Sequence, residues 1–351
     1  MRERILVVNP GSTSTKMALY EGEREQHAYI VRHSPADLRS FQGIWGQFDY
    51  RVRAVSSWVH ALSESVDAVV GIGGLLRPLP GGTYDVNARM LSDAKANLQG
   101  EHASNLGCAM ADELARIYHC PALIVDPVSV DEFEALARLS GHPLIHRRSL
   151  SHALNIHTAA RRAAQELAVP LKDTTFVVAH LGGGISIAPV RGGRIIDVND
   201  AASDGPYSPE RTGGLPLQDF ITLCYSGSHS EQQMRSLVMG RGGLVAYLGT
   251  NSGLESEQRI KNGDDHAKEV YEGMAYQIAK EIGAMATVLK GRVDAVVLTG
   301  GLASSTMLVE WIGERVRFLG PLLTFEGEDE MRSLALGALR VLRNEEQQLE
   351  Y

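Results

Sequence analysis

Apolar runs that end in glycine-containing turns set the pattern of this chain. Residues 5–8 form a β-branched run, residues 9–16 are polar, and residues 17–20 are apolar again. Two apolar runs around such a turn predict a hairpin of two strands. The same order of strand, glycine turn and strand returns in residues 176–190, and a third apolar run ends in a glycine pair within residues 295–301. Because the second copy lies close to half the chain away, the pattern predicts a duplicated fold.

Helical patterns alternate with these strands. Apolar residues recur at helical spacing over residues 264–289, an alanine-rich helix is predicted over residues 150–167, and a last helix over residues 331–342. A further helical segment is predicted between residues 89 and 118, with the helix proper opening at residues 101–104. Strands that alternate with helices indicate an α/β architecture with mixed sheets.

The first turn carries groups that suit a polyphosphate. Its side chains offer one amide, four hydroxyls and one ammonium, from Asn9, Ser12, Thr13, Ser14, Thr15 and Lys16. Anions bind where several donors and a cation converge. The turn is not a P-loop, because the GxxxxGK[ST] spacing is missing and a strand follows it instead of a helix. An ordinary polar hairpin remains the alternative for this turn alone.

The two later glycine turns suit the rest of a nucleotide. Glycine has no Cβ, so a glycine-rich backbone can approach a ligand closely. Each of these turns directly follows an apolar strand. We therefore expect Gly182, Gly183 and Gly184 to approach the phosphates and Thr299, Gly300 and Gly301 to lie near the adenosine.

Seven segments spread over nearly the whole chain form a recognisable set. They are VNPGSTSTK (8–16), GGLLRP with GGTY (73–78 and 81–84), GEHASNLG (100–107), VDPV (125–128), AHLGGGIS (179–186), GPYSPERTGGLP (205–216) and LTGG (298–301). Together and in this order they resemble one known family, that of the acetate and propionate kinases. The match is best for its butyrate kinase branch, which includes branched-chain fatty acid kinases.

The resemblance implies a fold, a domain division and an activity. The fold is a duplicated actin-like (ribonuclease H-like) ATPase fold, with two domains whose mixed sheets lie around an interdomain cleft. Residues 1–150, completed by the final helix at about 331–351, would form the N-terminal domain, and residues 151–330 the C-terminal nucleotide-binding domain. The implied reaction is the reversible, ATP-dependent and Mg²⁺-dependent phosphorylation of a short-chain fatty acid carboxylate such as butyrate or a branched analogue. The family also implies a homo-oligomer, a dimer or higher.

Formation of an acyl phosphate joins two anions, so positioning and charge neutralisation dominate its barrier. No strong base is needed, because a carboxylate is already ionised at neutral pH. The resemblance assigns Arg211 to the substrate and the planar phosphoryl group, and Asp126, at the end of an apolar strand, to Mg²⁺ and the transferring phosphate. From composition alone, Arg211 could instead pair with Glu210 in solvent, and Asp126 could cap the following turn.

Three further residues match active-site positions of the family. His180 precedes the triple glycine and matches a histidine at the phosphoryl group, and His152 matches a second active-site histidine. Either could be a structural histidine at the end of a strand or helix. Glu330 matches a glutamate on the Mg²⁺ side, although Glu328 could take that role, and either could simply supply the acidic first turn of the last helix.

One position departs from the family. Its butyrate kinase branch typically reads Val-Gly-Arg-Gly-Gly, whereas this chain has Ile72 in place of the arginine. Isoleucine neither donates hydrogen bonds nor neutralises charge, and Arg77 is the nearest candidate to replace the lost guanidinium. Loss of one clamp would cost roughly 10²–10³-fold in rate, by analogy with a lost oxyanion donor. A nucleotide-binding member with weak or lost acyl transfer is therefore the second hypothesis, and a sugar kinase of the same superfamily, disfavoured by segment 205–216, is the third.

Composition excludes several other functions. The 351 residues carry a net charge of −8 and show no basic cluster, which argues against nucleic acid and an anionic membrane surface as partners. No apolar stretch is long enough to span a membrane. The three cysteines are scattered, which indicates reduced thiols and a cytoplasmic protein. His142 and His146 have no helical spacing, because Pro143 lies between them, so zinc is not expected.

Overall fold

The computed structural model describes residues 2–327 and 329–351, except for the side chain of Pro35. The chain divides into two compact units. Unit 1 contains the chain up to Asp131 together with residues 329–351, and unit 2 contains residues 132–328.

The elements of the two units follow one another along the chain. The first part of unit 1 contains β1 (Arg4–Pro10), β2 (Ser14–Glu21), β3 (Arg24–Arg32), α1 (Pro35–Arg39), α2 (Phe48–Leu62), β4 (Ala68–Ile72), β5 (Thr83–Asp85), α3 (Ala88–Lys95), α4 (Leu106–Tyr118) and β6 (Ala122–Val125). Unit 2 contains β7 (Leu139–His142), β8 (Ile145–His146), α5 (Ala153–Glu166), β9 (Thr175–Leu181), β10 (Ile185–Arg191), β11 (Arg194–Ile195), α6 (Leu217–Tyr225), α7 (Glu231–Val238), α8 (Gly243–Leu248), α9 (Gly253–Lys261), α10 (Asp265–Val288), β12 (Ala295–Gly300), α11 (Thr306–Val316) and β13 (Leu322–Glu326). The chain then returns to unit 1 with α12 (Glu330–Leu342).

Each unit is built on a mixed sheet. In unit 1 the strand order is β3-β2-β1-β4-β6-β5, with β1, β4 and β6 parallel to one another. In unit 2 the order is β11-β10-β9-β12-β13, with β9, β12 and β13 parallel. The hairpins β1–β2 and β9–β10 are both antiparallel, and each hairpin's first strand has a parallel strand on its other side. The predicted duplication in an α/β fold is therefore confirmed.

The central strands are apolar throughout because helices cover both faces of their sheets. Ile5, Leu6, Val7 and Val8 of β1 are all fully buried, although successive side chains point to opposite faces. In unit 2, α10 buries its stripe at helical spacing against β9 and β10, and the Asp264 carboxylate caps it by accepting from Ala267 N at 2.9 Å. The predicted bounds of this helix differ from the observed ones by one residue at each end.

Two predicted elements begin later than expected. The helix expected to open at residues 101–104 begins at Leu106, after a short 3₁₀ turn at Ala103–Asn105, and a separate helix, α3, covers the earlier part of that segment. The alanine-rich helix predicted from residue 150 begins at Ala153.

Among residues 2–327 and 329–351, no helix has the length and apolarity that crossing a membrane requires.

The boundary between the units lies between Asp131 and Glu132, whereas the sequence prediction set it after residue 150. The intervening segment is bound to unit 2 by hydrogen bonds and charge. Glu134 N donates to Ile196 O at 3.0 Å, and Arg147 Nη1 lies 2.8 Å from Asp197 Oδ1. Its strands β7 and β8 form a separate two-stranded sheet.

Candidate active site

Three predicted positions of unit 1 lie at one edge of its sheet. Asn9 is the next-to-last residue of β1, Ile72 ends β4, and Asp126 directly follows β6. In the register, Val8 lies beside Gly71, and Ile72 lies beside Val125. Because the three strands are parallel, their carboxyl ends meet at the same edge, which is where α/β folds bind ligands.

The Glu330 carboxylate joins two residues of the first hairpin. Its Oε2 accepts a hydrogen bond from Asn9 Nδ2 at 2.8 Å and lies 3.9 Å from Lys16 Nζ. Asn9 and Lys16 are cross-strand partners in the β1–β2 register. Three residues that sequence reasoning chose separately are therefore brought together, and Glu330 is also the first residue of α12. The alternative, Glu328, lies outside the described residues.

Asp126 sits in a strained and buried position. Its φ of 39° is in the left-handed region, it is 3 % exposed, and its Oδ1 accepts from Gly82 N at 2.7 Å. Backbone strain of this kind in a non-glycine residue is typical of functional sites. The hydrogen bond to Gly82 orients the carboxylate at the end of β6.

Ile72 packs against α4 at the position of the family's arginine. The Ile72 backbone and its Cγ2 lie directly against Gly107, where an added Cβ would clash with them. Arg77 is engaged elsewhere, because its Nε and Nη2 donate to Asp93 Oδ2 and Oδ1 at 2.6 and 2.9 Å. The fork-shaped pair holds the Arg77 side chain on α3. The proposed compensation by Arg77 therefore has no support in this arrangement.

Sequence reasoning missed Arg51, which lies beneath the first turn. Arg51 belongs to α2, is fully buried, and donates to the backbone carbonyls of Gly11 and Ser14, each at 2.9 Å. The available signal was an arginine beside Val52, the first of three valines at helical spacing with Val55 and Val59, a position where a charged residue is seldom buried without a reason.

The predicted histidines of unit 2 stack on each other. The rings of His152 and His180 are 4.0 Å apart at an interplanar angle of 22°. His152 Nδ1 lies 2.8 Å from Ser186 Oγ, and Ser186 is the cross-strand partner of His180. Burial lowers the pKa of His152 well below its ordinary value, and the neighbouring His180 and Arg211 lower it further. His152 is therefore neutral at physiological pH.

Arg211 is seated directly against the glycine turn that follows β9. A Cβ built on Gly184 would lie 2.5 Å from Arg211 Cζ, so only glycine leaves room for the guanidinium. Arg211 Nη1 donates to Ala201 O at 2.9 Å. Burial lowers the pKa of Arg211, and Glu210 and Asp200 oppose that shift, yet an arginine stays charged at neutral pH. The solvent-exposed pairing that composition favoured is not what is observed.

The loop of Arg211 is fastened to the same glycine turn. Ser208 Oγ donates to Gly183 O at 2.6 Å, and Ser208 is 1 % exposed. On the other side of the loop, the Glu210 carbonyl accepts from Gly240 N at 2.7 Å. These hydrogen bonds limit how far the guanidinium can move relative to Gly184.

The third glycine turn adjoins the second through the sheet. Thr299 lies beside His180 in the parallel β9–β12 register. Gly300 has a φ of 93°, and an added Cβ would lie 2.5 Å from Leu181 O, so a side chain is excluded there by both strain and space. Gly301, in contrast, faces open space. The two glycine turns of unit 2 are therefore neighbours at the carboxyl ends of two parallel strands.

An apolar cavity of about 570 Å³ flanks the Arg211 loop within unit 2. Its wall includes Ala202, next to the residue that accepts from Arg211, and Thr212, next to Arg211 itself. Apolar side chains of α6 and α7 form much of the rest, among them Phe220 and Met234. Pockets of this kind, mostly apolar with a few polar groups, bind small ligands.

The donor set of unit 1 fits a nucleotide-bound Mg²⁺. Such an ion needs only one or two protein carboxylates, because phosphates and waters supply the other oxygens. Asp126 at the sheet edge and Glu330, bonded to Asn9, are carboxylates of this kind. In the part of the chain that the structure describes, no group of three or more His, Cys, Asp or Glu side chains could hold a metal ion alone.

Comparisons with known proteins agree with this geometry. The sequence profile described as "Acetokinase family" matches residues 142–341. A probable butyrate kinase of Listeria welshimeri is 47% identical over 351 residues, which cover 99% of each chain. Butyrate kinase 2 of Clostridium acetobutylicum is 45% identical over 355 residues, which cover 100% of each chain. Among solved structures, an acetate kinase of Porphyromonas gingivalis has the same fold, with a TM-score of 0.81 at 17% identity, covering 97% of this chain and 100% of that chain.

Proposed function

The chain belongs to the acetokinase family, and we propose on that basis that it transfers the γ-phosphoryl group of ATP to the carboxylate of a short-chain fatty acid. The carboxylate oxygen forms a bond to the γ-phosphorus while the bond from that phosphorus to the bridging oxygen of ADP breaks. The products are the acyl phosphate and ADP, and the reaction is reversible. The butyrate kinases among its relatives make butyrate or a branched analogue the proposed acid.

The observation that carries this proposal is the guanidinium of Arg211 on the backbone of Gly184. A planar cation held against a glycine turn can neutralise the equatorial oxygens of a phosphoryl group in transfer. The Ala201 carbonyl and the loop hydrogen bonds orient it before any substrate binds. Arg211 is therefore the proposed catalytic arginine of unit 2.

The stacked histidines serve as hydrogen-bond donors in this proposal, and His152 does so in its neutral form. A protonated His152 beside Arg211 would be costly, and its lowered pKa removes that charge. His180, buried at the end of β9, would contact the phosphoryl group, and Ser186 holds His152 in place. Neither residue is proposed as a base, because the attacking carboxylate is already ionised.

Unit 1 carries a second set of proposed phosphate contacts. Asn9, Ser12, Thr13, Ser14 and Lys16 are the proposed contacts of the nucleotide phosphates, and Lys16 Nζ lies 3.9 Å from Glu330 Oε2. Asp126 and Glu330 would hold Mg²⁺, which when bound neutralises charge on the phosphate oxygens. Asp126 keeps its carboxylate oriented through Gly82.

The nucleotide would lie along the glycine turns of unit 2. Gly182, Gly183 and Gly184 are proposed to approach the phosphates, and Thr299, Gly300 and Gly301 the adenosine. Two observations support both placements. The two turns follow neighbouring strands of the sheet, and an added Cβ at Gly184 or Gly300 would meet other atoms at 2.5 Å or less.

The deciding experiment traps the product chemically. The purified chain, ATP, Mg²⁺ and butyrate are incubated with hydroxylamine, and butyryl hydroxamate is measured by its ferric complex. We expect hydroxamate to form only when ATP, Mg²⁺ and butyrate are all present, and we expect Arg211→Ala to lose that signal. If ATP binds with micromolar affinity and no acid yields hydroxamate, the chain is a nucleotide-binding member without acyl transfer, and Ile72 is the first position to examine.

We further propose a homo-oligomer in the cytoplasm. Along α6 the apolar side chains of Leu217, Ile221 and Tyr225 are 72%, 49% and 89% exposed, which is unusual for a helix that meets only water. Sedimentation velocity at two protein concentrations tests the assembly, and a monomer at all concentrations would contradict it. The three cysteines, none of them in a disulfide, support the compartment.

A further inference from the structure

Arg51 has a place in unit 1 that fold stability alone does not explain. Its guanidinium is buried, and all three of its nitrogens donate to hydrogen-bond acceptors. Nη1 donates to Gly11 O, Ser14 O and Thr15 Oγ1 at 2.9, 2.9 and 3.0 Å. Nη2 donates to Gln47 Oε1 at 2.8 Å and to Ser12 O at 3.4 Å. Nε donates to Gln47 Oε1 at 3.1 Å. One buried side chain therefore contacts every carbonyl of the turn at residues 11–14 except that of Thr13.

The positive charge of Arg51 has no negative partner in the described chain. Its acceptors are carbonyls, one hydroxyl and the Gln47 amide, and among residues 2–327 and 329–351 no carboxylate lies within ion-pair distance of it. Burial lowers the pKa of Arg51, but a guanidinium remains charged at neutral pH. Buried charges are normally paired, because removal from water is costly. A bound anion on the other side of the turn would offset this cost.

The captured carbonyls determine where the turn's N–H groups point. In a trans peptide the C=O and the following N–H point in opposite directions. Because Gly11 O and Ser12 O face Arg51, the N–H groups of Ser12 and Thr13 face away from it. The N–H of Gly11 is already bonded to Ser14 O at 2.8 Å. The turn thus presents two neighbouring N–H donors on the side opposite to the guanidinium, as anion-binding nests do.

The hydrogen bonds of Arg51 extend beyond the turn. Thr15 Oγ1 accepts from Arg51 Nη1 at 3.0 Å and lies 2.9 Å from His33 Nε2. His33 Nδ1 in turn lies 3.2 Å from Tyr50 OH. Burial lowers the pKa of His33, and the charge of Arg51 lowers it further. Arg51 therefore connects the turn to two further buried or half-buried side chains.

We propose that Arg51 is a positioning residue for phosphate binding in this enzyme. It holds the turn in the conformation that presents the Ser12 and Thr13 N–H groups, and its unpaired charge favours an anion in front of them. Arg51 itself does not touch the phosphate, since the turn lies between them. The inference rests on the proposed function, because it names what prepares the proposed phosphate contacts of unit 1.

The test compares Arg51→Met and Arg51→Lys with a matched control, Arg53→Met. Arg53 lies on the same helix and is exposed, so its loss removes a charge without touching the turn. We expect Arg51→Met to raise the calorimetric Kd for ATP with Mg²⁺ at least tenfold and to lower kcat, while Arg53→Met leaves both unchanged. Arg51→Lys keeps the charge but not the fork, so it should restore part of the affinity.

Urea unfolding of each variant separates positioning from stability. All binding is measured where the variant is fully folded, and a purely structural role predicts lower stability with the natural Kd and kcat. That result in Arg51→Met would overturn the proposal. Should Arg51→Met fail to fold, Arg51→Lys decides, because an unchanged Kd in the folded lysine variant contradicts the need for the fork. If the natural chain binds ATP but makes no hydroxamate, the proposed function is refuted, and the Kd values of the Arg51 variants still test the role of Arg51. If the natural chain binds no ATP, the proposed function and the role of Arg51 are both refuted.

Discussion

Replacing Gly184 by alanine gives the sharpest test of the arginine in unit 2. The added Cβ would lie 2.5 Å from Arg211 Cζ, whereas ordinary van der Waals contact begins near 3.4 Å. The guanidinium must therefore shift by about 1 Å, because the Gly184 backbone is fixed between two strands. The φ of Gly184 is not in the left-handed region, so alanine introduces no backbone strain of its own.

The expected loss follows from that displacement. A misplacement of about 1 Å at a reacting group can cost ~10²-fold in rate. That corresponds to about 2.7 kcal/mol of transition-state stabilisation, at about 1.4 kcal/mol for each factor of ten. Removal of the whole side chain in Arg211→Ala should cost more, at least ~10³-fold or about 4 kcal/mol. The kcat/KM of Gly184→Ala for butyrate should therefore lie between the value of the natural chain and that of Arg211→Ala.

The assay is initial-rate hydroxamate formation, together with far-UV circular dichroism and urea unfolding. Gly283→Ala is the matched control, because Gly283 lies within α10 with open space where its Cβ would be. That substitution should leave kcat/KM unchanged and stabilise the helix by roughly 0.5–1 kcal/mol.

A double-mutant cycle then locates the effect. If Gly184→Ala acts through the guanidinium, adding it to Arg211→Ala should cause almost no further loss, since the group it displaces is already gone. Full additivity of the two losses would show that Gly184 acts elsewhere. Near-natural kcat/KM in Gly184→Ala alone would refute the steric reasoning and with it the assignment of Arg211.

Four other outcomes are expected. Asp126→Asn keeps an oxygen for Gly82 N but loses the charge, so it should raise the Mg²⁺ concentration for half-maximal rate at least tenfold; an unchanged Mg²⁺ dependence would remove Asp126 from the metal site. Ile72→Arg should raise kcat if the missing guanidinium limits the rate, and a lower kcat would mean that the site is adapted to isoleucine. The folded-state pKa of His152 is depressed, so its contribution to stability is present above its ordinary pKa of 6.5 and is lost as pH falls below it, by up to about 1.4 kcal/mol per pH unit. In urea unfolding, the difference in unfolding free energy between the natural chain and His152→Gln should therefore shrink as the pH is lowered. A difference that stays constant with pH would contradict the shift. If the apolar cavity receives the acyl chain, Phe220→Ala should lower the butyrate-to-acetate ratio of kcat/KM, whereas an unchanged ratio would place the chain elsewhere.

The sequence predicted those parts of the site whose chemistry is local. The hairpin of residues 9–16 and the triple glycine before β10 are short, continuous patterns, and the duplicated α/β fold that they indicated is confirmed. The roles of Arg211 and Asp126 stay predictions; Arg211 lies against Gly184, and Asp126 directly follows β6. Local patterns succeed here because strand, turn and glycine positions are set by the backbone itself.

The parts that the sequence did not predict depend on distant partners. Nothing in the pattern of α2 tells that Arg51 turns toward carbonyls that lie 37 to 40 residues earlier in the chain. Likewise, the pairing of Arg77 with Asp93 excludes Arg77 from the role it was considered for, and this requires knowing where α3 packs. Side-chain partners across a fold are decided by tertiary packing, which a single sequence does not show.

The hydrogen bond between Asn9 and Glu330 spans 321 residues and has a consequence for synthesis. Unit 2 is continuous in sequence, so it can fold as soon as its last strand leaves the ribosome. Unit 1 cannot, because α12 contacts β1 and the Leu349 N–H bonds to Thr83 O at 2.8 Å. The first strands to be synthesised therefore keep apolar side chains exposed until α12 has been synthesised and can pack against them. A chain released just before residue 330 would contain the whole of unit 2 and an incomplete unit 1, and that truncated chain is the one that we expect chaperones to bind.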